Sequence, residues 1–373
     1  MRENKTIKFF DYPRLLLPYK GMLHNELESS LNDGIFVNGP SVSKFESEYA
    51  EYTGAKYAVG VSSGTDGLLA ILMSLNLPKG SDVLVTSYTF IASSEAILVA
   101  GYNPIFVDIG EGSFHPTLKN FEDVWTENTK AIMYVHLFGE TPSLKGLQNM
   151  CDERGVILFE DAAESFGSYY PEGGHSGTKT IAASFSFFPA KTLGCLGDGG
   201  VVITDDEEIY KKLKMVRAHG SRKRYFHEMI GGNMRLDSLQ SRFLSVLLKG
   251  GSAEWLKKRY SNAMYYFEHI NNPLVQLPHT KDTPENHSWY LFSLVVKGGE
   301  RDGLQEHLTN NGIETFIYWP IPLHKQPVYV EMFGEQTLPE SEKRCKEVLH
   351  IPISPHLEEE ELRFITEKIN EYK

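Results

Sequence analysis

The chain has 373 residues, of which 41% are hydrophobic and 12% aromatic, enough for one large core and a smaller lobe. Its formal net charge of −12 argues against a nucleic-acid groove or an anionic membrane surface as the main partner. A small molecule or a protein is the favoured partner. Three widely spaced cysteines without a C-x-x-C pair disfavour a disulfide framework and a structural zinc site, and we expect no bound metal.

The amino-terminal segment reads MRENKTIKFFDYPRLLLP. It mixes charges throughout and has only a short apolar run, a pattern typical of neither a signal peptide nor a membrane span. We therefore expect a cytoplasmic protein without a membrane partner.

From about residue 55 to 205, short apolar runs alternate with amphipathic ones. The runs KYAVGVSS, SDVLVTSYTF, NPIFVDIG, KAIMYVHLFG and VILFEDAAES are too short for helices and apolar on both faces, as in strands buried between helices. The segments between them, such as TDGLLAILMSL and LKGLQNMCDERG, have helical periodicity. This alternation predicts an α/β domain with a mostly parallel sheet.

After about residue 245 the pattern changes to a long charged helix, GSAEWLKKRYSNAMYYFEHI. A strand-like SWYLFSLVV, a helix around DGLQEHLTNNG, a proline-rich YWPIPLHKQP and a final helix EEEELRFITEKINEY follow. We predict a large domain over residues 1–250 and a smaller α+β domain over residues 251–373, with the boundary between 240 and 260.

The segment VSSGTDGLLAILMSL places Gly64, Thr65 and Asp66 at the start of a predicted helix. Ser63 or Thr65 can cap this helix, and the free amides of its first turn can bind a phosphate. An ordinary capped helix gives the same pattern and is the commoner case.

Three acids, Glu160, Asp161 and Glu164, follow the buried strand of VILFEDAAES. A carboxylate at the carboxyl end of a sheet strand lies where α/β proteins build their sites, although a helix cap or a salt bridge is an equal alternative. Lys191 follows Asp161 by 30 residues, enough for one loop and one further strand. These two side chains are therefore predicted at neighbouring strand ends.

Lys191 itself lies between an apolar run and a glycine-rich loop in SFSFFPAKTLGCLGDGG. A lysine in apolar surroundings loses hydration, and its free amine can attack a carbonyl carbon. Most lysines instead extend their charged end into solvent. The glycines run into a strand and do not match G-x-G-x-x-G, which argues against a dinucleotide site.

A basic cluster, Arg217, Arg222, Lys223 and Arg224, suits either a pyrophosphate or carboxylate ligand or a solvated loop. Together, a phosphate-binding turn, a strand-end aspartate and an apolar lysine are the groups that pyridoxal 5'-phosphate requires. The lysine forms the Schiff base, and the carboxylate keeps the pyridine nitrogen protonated.

These residues carry a family resemblance over almost the whole chain. It runs from NGPSVSKFESEYAEYTGAKYAVGVSSGTDGL through TFIASSEAILVAGYNPIFVDI, FEDAAESFGS, FSFFPAKTLGCLGDGG and GGNMRLDSLQ to YWPIPLHKQP. The sequence resembles the sugar aminotransferases of the DegT/DnrJ/EryC1/StrS family, fold type I enzymes that use pyridoxal phosphate to aminate keto sugars attached to nucleotides. The resemblance implies a mostly parallel seven-stranded sheet between helices in the large domain.

The resemblance also implies roles for individual residues. Lys191 is expected to be the Schiff-base lysine and proton shuttle, and Asp161 to pair with the pyridine nitrogen. Phe90 is expected to cover one face of the cofactor, and Glu164 to lie near its phenolic oxygen, where many relatives carry Gln or His. The phosphate-binding residues are expected to be Gly64, Thr65, Asp66 and Ser186, joined by Asn233 from the other subunit of a homodimer.

The expected substrates are L-glutamate and a nucleotide-linked keto sugar. The resemblance favours amination at C3 of a dTDP-3-keto-6-deoxyhexose or a UDP-3-keto-hexuronate, for lipopolysaccharide or other cell-surface polysaccharide synthesis. Amination at C4 and a non-catalytic regulatory or binding role are the alternatives. Candidate substrate contacts are Arg224, Arg235, Tyr318, His324 and Lys325. Tyr318 and Trp319 stand where several C3 enzymes have His and Tyr.

Overall fold

A computed structural model of the chain describes residues 6–279 and 286–373. Its main feature is a seven-stranded sheet with the strand order β1-β7-β6-β5-β4-β2-β3. The strands are β1 (Tyr57–Val61), β2 (Asp82–Thr86), β3 (Asn103–Val107), β4 (Thr129–Val135), β5 (Ile157–Asp161), β6 (Ala183–Ser186) and β7 (Gly200–Thr204). Only β7 runs antiparallel to its neighbours, β1 and β6, so the predicted mostly parallel sheet is confirmed.

Helices connect these strands and precede them. The amino-terminal helices are α1 (Tyr12–Leu16), α2 (Lys20–Asp33) and α3 (Pro40–Thr53). Those between and after the strands are α4 (Gly64–Leu75), α5 (Ala92–Val99), α6 (Leu118–Asp123), α7 (Lys145–Arg154) and α8 (Glu207–Val216). Every residue of β2 and β7 is buried, which explains why these strands are apolar on both faces.

A two-stranded hairpin, β8 (Ser221–Lys223) and β9 (Phe226–His227), leads into α9 (Ser238–Gly250) and α10 (Ser252–His269). A three-stranded sheet follows, with β11 (Phe292–Val296) between β10 (Val275–Gln276) and β12 (Val348–Ile351). Its helices are α11 (Arg301–Asn310), α12 (Pro327–Phe333), α13 (Pro339–Glu347) and α14 (Glu359–Glu371). The predicted division after residue 250 falls between α9 and α10 and stays a prediction.

The strand directions bring several chain segments to one edge of the large sheet. Because β7 is antiparallel to both β1 and β6, these two strands point the same way as β4 and β5. Their carboxyl ends therefore share one edge, where α/β sheets bind ligands.

No helix in the part of the chain that the structure describes is long and apolar enough to cross a bilayer. Residues 1–5 of the amino-terminal segment considered above lie outside the described ranges.

Candidate active site

A cavity of about 530 Å³ opens at this shared edge of the sheet. Its lining comes from the start of α4, the loop after β2, the ends of β4, β5 and β6, and the segment 317–319. Lys191 and Asp161 both line it, so the structure brings together the amine and the carboxylate that the sequence pattern placed at neighbouring strand ends.

Asp161 is the last residue of β5 and is almost fully buried. Its Oδ2 accepts a hydrogen bond from Ser93 Oγ at 2.7 Å, and its Oδ1 accepts one from the backbone N–H of Ala163 at 3.1 Å. Burial raises the pKa of Asp161, while these two donors and the charge of Lys191 act in the opposite direction. The two donors thus hold the carboxylate in place, and a cationic ligand in the cavity would favour its ionised form.

Lys191 lies in the loop after β6, with 16% of its side chain exposed. Its Nζ donates to Glu164 Oε1 at 3.0 Å and lies 4.5 Å from the ring centroid of Tyr290. The other oxygen of Glu164 accepts the backbone N–H of Phe138 at 2.8 Å. Glu164 therefore fixes the amine through one oxygen and is itself fixed through the other.

The start of α4 forms a second wall of the cavity. Ser63 caps this helix, because its hydroxyl accepts the N–H of Asp66 and its carbonyl accepts that of Gly67, both at 3.0 Å. Within the described residues, the first-turn amides of Gly64 and Thr65 make no such bond, and both residues line the cavity. A Cβ on Gly64 would lie 2.8 Å from Ser186 Cβ, so glycine permits the close approach of α4 to β6.

Aromatic side chains form the outer part of the cavity. Phe90 lines it with 55% of its surface exposed, and its ring centroid is 6.5 Å from that of Trp319. Tyr318 also lines the cavity, and its carbonyl accepts a hydrogen bond from Tyr88 at 2.8 Å. Burial raises the pKa of Tyr318, so its hydroxyl stays protonated near neutral pH.

Four sequence-predicted residues do not line the cavity of this single chain. The carboxylate of Asp66 accepts a hydrogen bond from Ser62. Asn233 and Arg224 are exposed, and the Arg224 guanidinium lies 5.0 Å from the ring centroid of its neighbour Tyr225. Arg235 pairs through its backbone with Val61, and its buried Nε has no hydrogen-bond partner among the described residues.

His324 and Lys325 are also outside this cavity. His324 is fully buried, with Nδ1 at 2.7 Å from Ser87 Oγ and Nε2 at 3.0 Å from Glu342. Lys325 Nζ donates to Glu335 at 3.1 Å. Both nitrogens of His324 are therefore occupied, and the expectation that it contacts a sugar has no support within one chain.

The basic cluster does not form one anion site. Arg217 is buried, where it pairs with Glu46 and donates to the carbonyl of Gly60 at 2.7 Å. Arg222, Lys223 and Arg224 are exposed on the hairpin. Arg217 thus ties α8 to β1, and the solvated-loop interpretation fits the other three within this chain.

Among the residues of the site that sequence reasoning missed are Thr89, Ser93 and Tyr290. Thr89 and Tyr290 line the cavity, and Ser93 contacts Asp161 from α5. Serine and threonine at the start of a helix are read as caps, and a tyrosine in an apolar strand region is read as core, so no sequence signal distinguishes them.

A second cavity of about 530 Å³ lies between α2, α3 and α9. Its charged lining consists of Lys44, Lys249, Arg242 and Glu26, and the side chains of its two lysines are 66% and 63% exposed, against 16% for Lys191. In residues 6–279 and 286–373, no group of three His, Cys, Asp or Glu side chains is arranged to hold a metal ion. The chemistry is therefore centred on the cavity that contains Lys191.

The donor set of this cavity fits pyridoxal 5'-phosphate. Lys191 offers an amine for its aldehyde, and Asp161 offers a carboxylate with unfilled acceptor positions for a protonated ring nitrogen. The amides at the start of α4 and the hydroxyls of Thr65 and Ser186 suit a phosphate. Phe90 offers an aromatic surface for the ring.

Comparison with known proteins agrees with this chemistry. Residues 20–370 match the profile of the DegT/DnrJ/EryC1/StrS aminotransferase family. The chain is 37% identical over 374 residues to the dTDP-3-amino-3,4,6-trideoxy-alpha-D-glucose transaminase of Streptomyces venezuelae, covering 99% of this chain and 97% of that protein. It is 35% identical over 347 residues to the pleiotropic regulatory protein of Geobacillus stearothermophilus, covering 93% of each. The crystal structure of S. venezuelae DesV in complex with a ketimine intermediate matches with a TM-score of 0.94 at 34% identity, covering 99% of this chain and 98% of that one.

Proposed function

Because the chain belongs to the DegT/DnrJ/EryC1/StrS aminotransferase family, we propose that it moves an amino group from L-glutamate to the C3 keto group of a nucleotide-linked sugar. The family is that of sugar transaminases and uses pyridoxal 5'-phosphate. The observation that carries the proposal is the position of Lys191 and Asp161 in one cavity beside the start of α4.

Each group of the cavity has a distinct task in this reaction. When bound, pyridoxal phosphate supplies an electron sink for the carbanion that forms when the donor loses its α-proton. Lys191 would hold the cofactor through its amine, and the same amine would move the α-proton of the donor. Asp161 would keep the ring nitrogen protonated, and Glu164 holds the amine of Lys191 in position.

The substrate is proposed to be a dTDP-3-keto-6-deoxyhexose or a UDP-3-keto-hexuronate, used in lipopolysaccharide or other cell-surface polysaccharide synthesis. The name of the S. venezuelae relative, a dTDP-3-amino sugar transaminase, supports the deoxyhexose. Tyr318 and Trp319 form the aromatic wall that would face the sugar. Arg235, with its unpaired Nε, remains a candidate partner for a carboxylate of the hexuronate or of glutamate.

A homodimer with shared sites is part of this proposal. Asn233 and Arg224 are exposed and do not line the cavity of their own chain. The hairpin beside them exposes Tyr225 at 77%, Phe226 at 63% and Ile230 at 82%, and such apolar exposure on one segment is typical of a surface that another chain covers. We propose that this hairpin lies over the cavity of a second copy and brings Asn233 to its phosphate and Arg224 to its substrate.

A C4 amination and a regulatory role are the second candidates. The G. stearothermophilus relative is named as a regulatory protein, which is the observation in favour of the latter. A purely regulatory protein has no need of a lysine held 3.0 Å from a carboxylate in an open cavity. The intact amine and acid therefore favour catalysis.

Three measurements on one preparation test the proposal. The purified protein with added pyridoxal phosphate should gain a visible absorption band, and borohydride treatment of this form should leave the cofactor attached to the peptide that contains Lys191. A separate portion, not treated with borohydride, should lose the band when L-glutamate is added. A screen of keto nucleotide sugars, analysed by mass spectrometry, should then yield an amino sugar. A band that glutamate does not change would favour the regulatory role, and an amino group at C4 would correct the position.

A further inference from the structure

Asp161 is held by a short chain of hydroxyl groups that begins at the cavity wall. Ser93, on the first turn of α5 and 1% exposed, lies 2.7 Å through its Oγ from Asp161 Oδ2. Thr89, 4% exposed and part of the cavity lining, lies 3.2 Å through its Oγ1 from the same Ser93 oxygen. The three side chains form one continuous hydrogen-bonded path.

The direction of these bonds follows from the acid at their end. An ionised carboxylate can only accept hydrogen bonds, so the Ser93 hydroxyl must donate to it. The Ser93 oxygen is then free to accept, and Thr89 is the donor. Hydrogen bonds that point the same way polarise and strengthen one another, so Thr89 reinforces the bond from Ser93.

Together with one backbone amide, this path determines how Asp161 presents its charge. Ala163 N–H occupies one position on Oδ1 at 3.1 Å, and Ser93 occupies one on Oδ2. A carboxylate has about four acceptor positions, so about two remain for a ligand. Ser93 is buried and Ala163 is half-buried, and together their two hydrogen bonds restrain the rotation of the Asp161 carboxylate.

We propose that Ser93, supported by Thr89, is a positioning residue that holds Asp161 ionised and oriented toward the ring nitrogen of the cofactor. The inference rests on the proposed function. It predicts that loss of the Ser93 hydroxyl weakens the binding of a ligand that has this nitrogen and leaves the binding of a ligand without it unchanged. A residue that merely filled space would affect both ligands equally.

The test compares two ligands on three proteins. Wild type, Ser93→Ala and Ser93→Thr are titrated with pyridoxal phosphate and with its 1-deaza analogue, in which C–H replaces the ring nitrogen. Dissociation constants come from the absorbance of bound ligand, without turnover. A hydrogen bond to a charged group corresponds to about a 10- to 100-fold change in affinity, so Ser93→Ala should bind pyridoxal phosphate about 10- to 100-fold less tightly.

The other results are equally specific. The 1-deaza analogue should bind Ser93→Ala and wild type within about twofold, because it never used the charge that Ser93 stabilises. Ser93→Thr keeps the hydroxyl and should restore most of the affinity. Thr89→Val should weaken pyridoxal phosphate in the same direction but less, since it removes only the second donor.

Each contrary outcome has one meaning. If Ser93→Ala weakens both ligands equally, or neither, the positioning role is refuted while the proposed function stands. If Ser93→Thr fails to restore affinity although its unfolding temperature equals that of wild type, the hydroxyl is not the active feature and the inference also fails. If wild type itself binds neither ligand, the proposed function fails, and the inference with it.

Discussion

The pair formed by Lys191 and Glu164 gives the sharpest quantitative prediction. Glu164 uses one oxygen for Lys191 Nζ at 3.0 Å and the other for Phe138 N–H at 2.8 Å. Glutamine has a single carbonyl oxygen, so Glu164→Gln must turn its NH₂ group toward one of these two donors. The substitution therefore removes one hydrogen bond and the charge while leaving the volume almost unchanged.

The size of the effect follows from burial. The side chains of Lys191 and Glu164 are 16% and 12% exposed, so water screens their interaction only in part. A hydrogen bond to a charged group contributes about 1.5–3 kcal/mol. We expect Glu164→Gln to lower the free energy of unfolding of the cofactor-free protein by about 2 kcal/mol, and a double-mutant cycle with Lys191→Met to show a coupling of about 1–2 kcal/mol.

Urea unfolding, followed by tryptophan fluorescence and by far-ultraviolet circular dichroism, measures these energies where the two transitions coincide. The exposed pair of Lys211 and Glu208, 2.7 Å apart, serves as the matched control and should show no measurable coupling. A Lys191–Glu164 coupling no larger than that of the control would refute the claim that Glu164 holds the amine of Lys191 in place.

Further predictions concern the cofactor, acid stability and the second subunit. Asp161→Asn removes the charge opposite the ring nitrogen and should slow the half-reaction with glutamate about 10²- to 10³-fold in stopped-flow absorbance, whereas an unchanged rate would contradict its role. Phe90→Ala should weaken pyridoxal phosphate binding by up to about tenfold in an absorbance titration, since it removes an aromatic contact. Burial lowers the pKa of His350 from 6.5 to about 3, so its contribution to stability is present above pH 6.5 and is lost as the pH falls toward 3. Between pH 7 and pH 4.5, the free energy of unfolding of His350→Gln should therefore fall by about 3 kcal/mol less than that of wild type, as measured by urea unfolding. Equal decreases in the two proteins would exclude a neutral buried His350. Mixing inactive Lys191→Ala and Asn233→Ala proteins should restore activity that neither has alone, because a shared site leaves one intact cavity in each mixed dimer.

The sheet could be predicted because most of its strands are short apolar runs that are buried on both faces. VILFED became β5 and GVVIT became β7, as expected from their composition. The capped helix also followed from sequence, since Ser63 before a periodic segment is a local signal that needs no tertiary contact. These features depend on residues that are close in the sequence, so the sequence alone is enough to predict them.

The contacts around Lys191 and Asp161 could not be predicted, because they join segments that are distant in the sequence. Ser93 and Asp161 are held together by the packing of α5 against the sheet, and nothing in ASSEAIL indicates it. His324 is another such case: sequence reasoning named it as a candidate substrate contact, which stays a prediction, but gave no sign of its burial against Ser87 and Glu342. The contacts of such side chains depend on their tertiary partners, which the spacing of residues in the sequence does not encode.

The acidic motif FEDAAES shows how the structure resolves what spacing leaves open. Successive residues of a strand point to opposite faces, so Glu160 and Asp161 at the end of β5 face different surroundings. Glu160 accepts hydrogen bonds from four residues: His136, Tyr170, Gly177 and Thr180. Burial alone would raise the pKa of Glu160, but His136 and the hydroxyl donors lower it, so it is ionised and its acceptor positions are filled. Among the residues that the structure describes, Asp161 has two protein donors, and it lines the cavity, which makes it the acid with capacity left for a ligand.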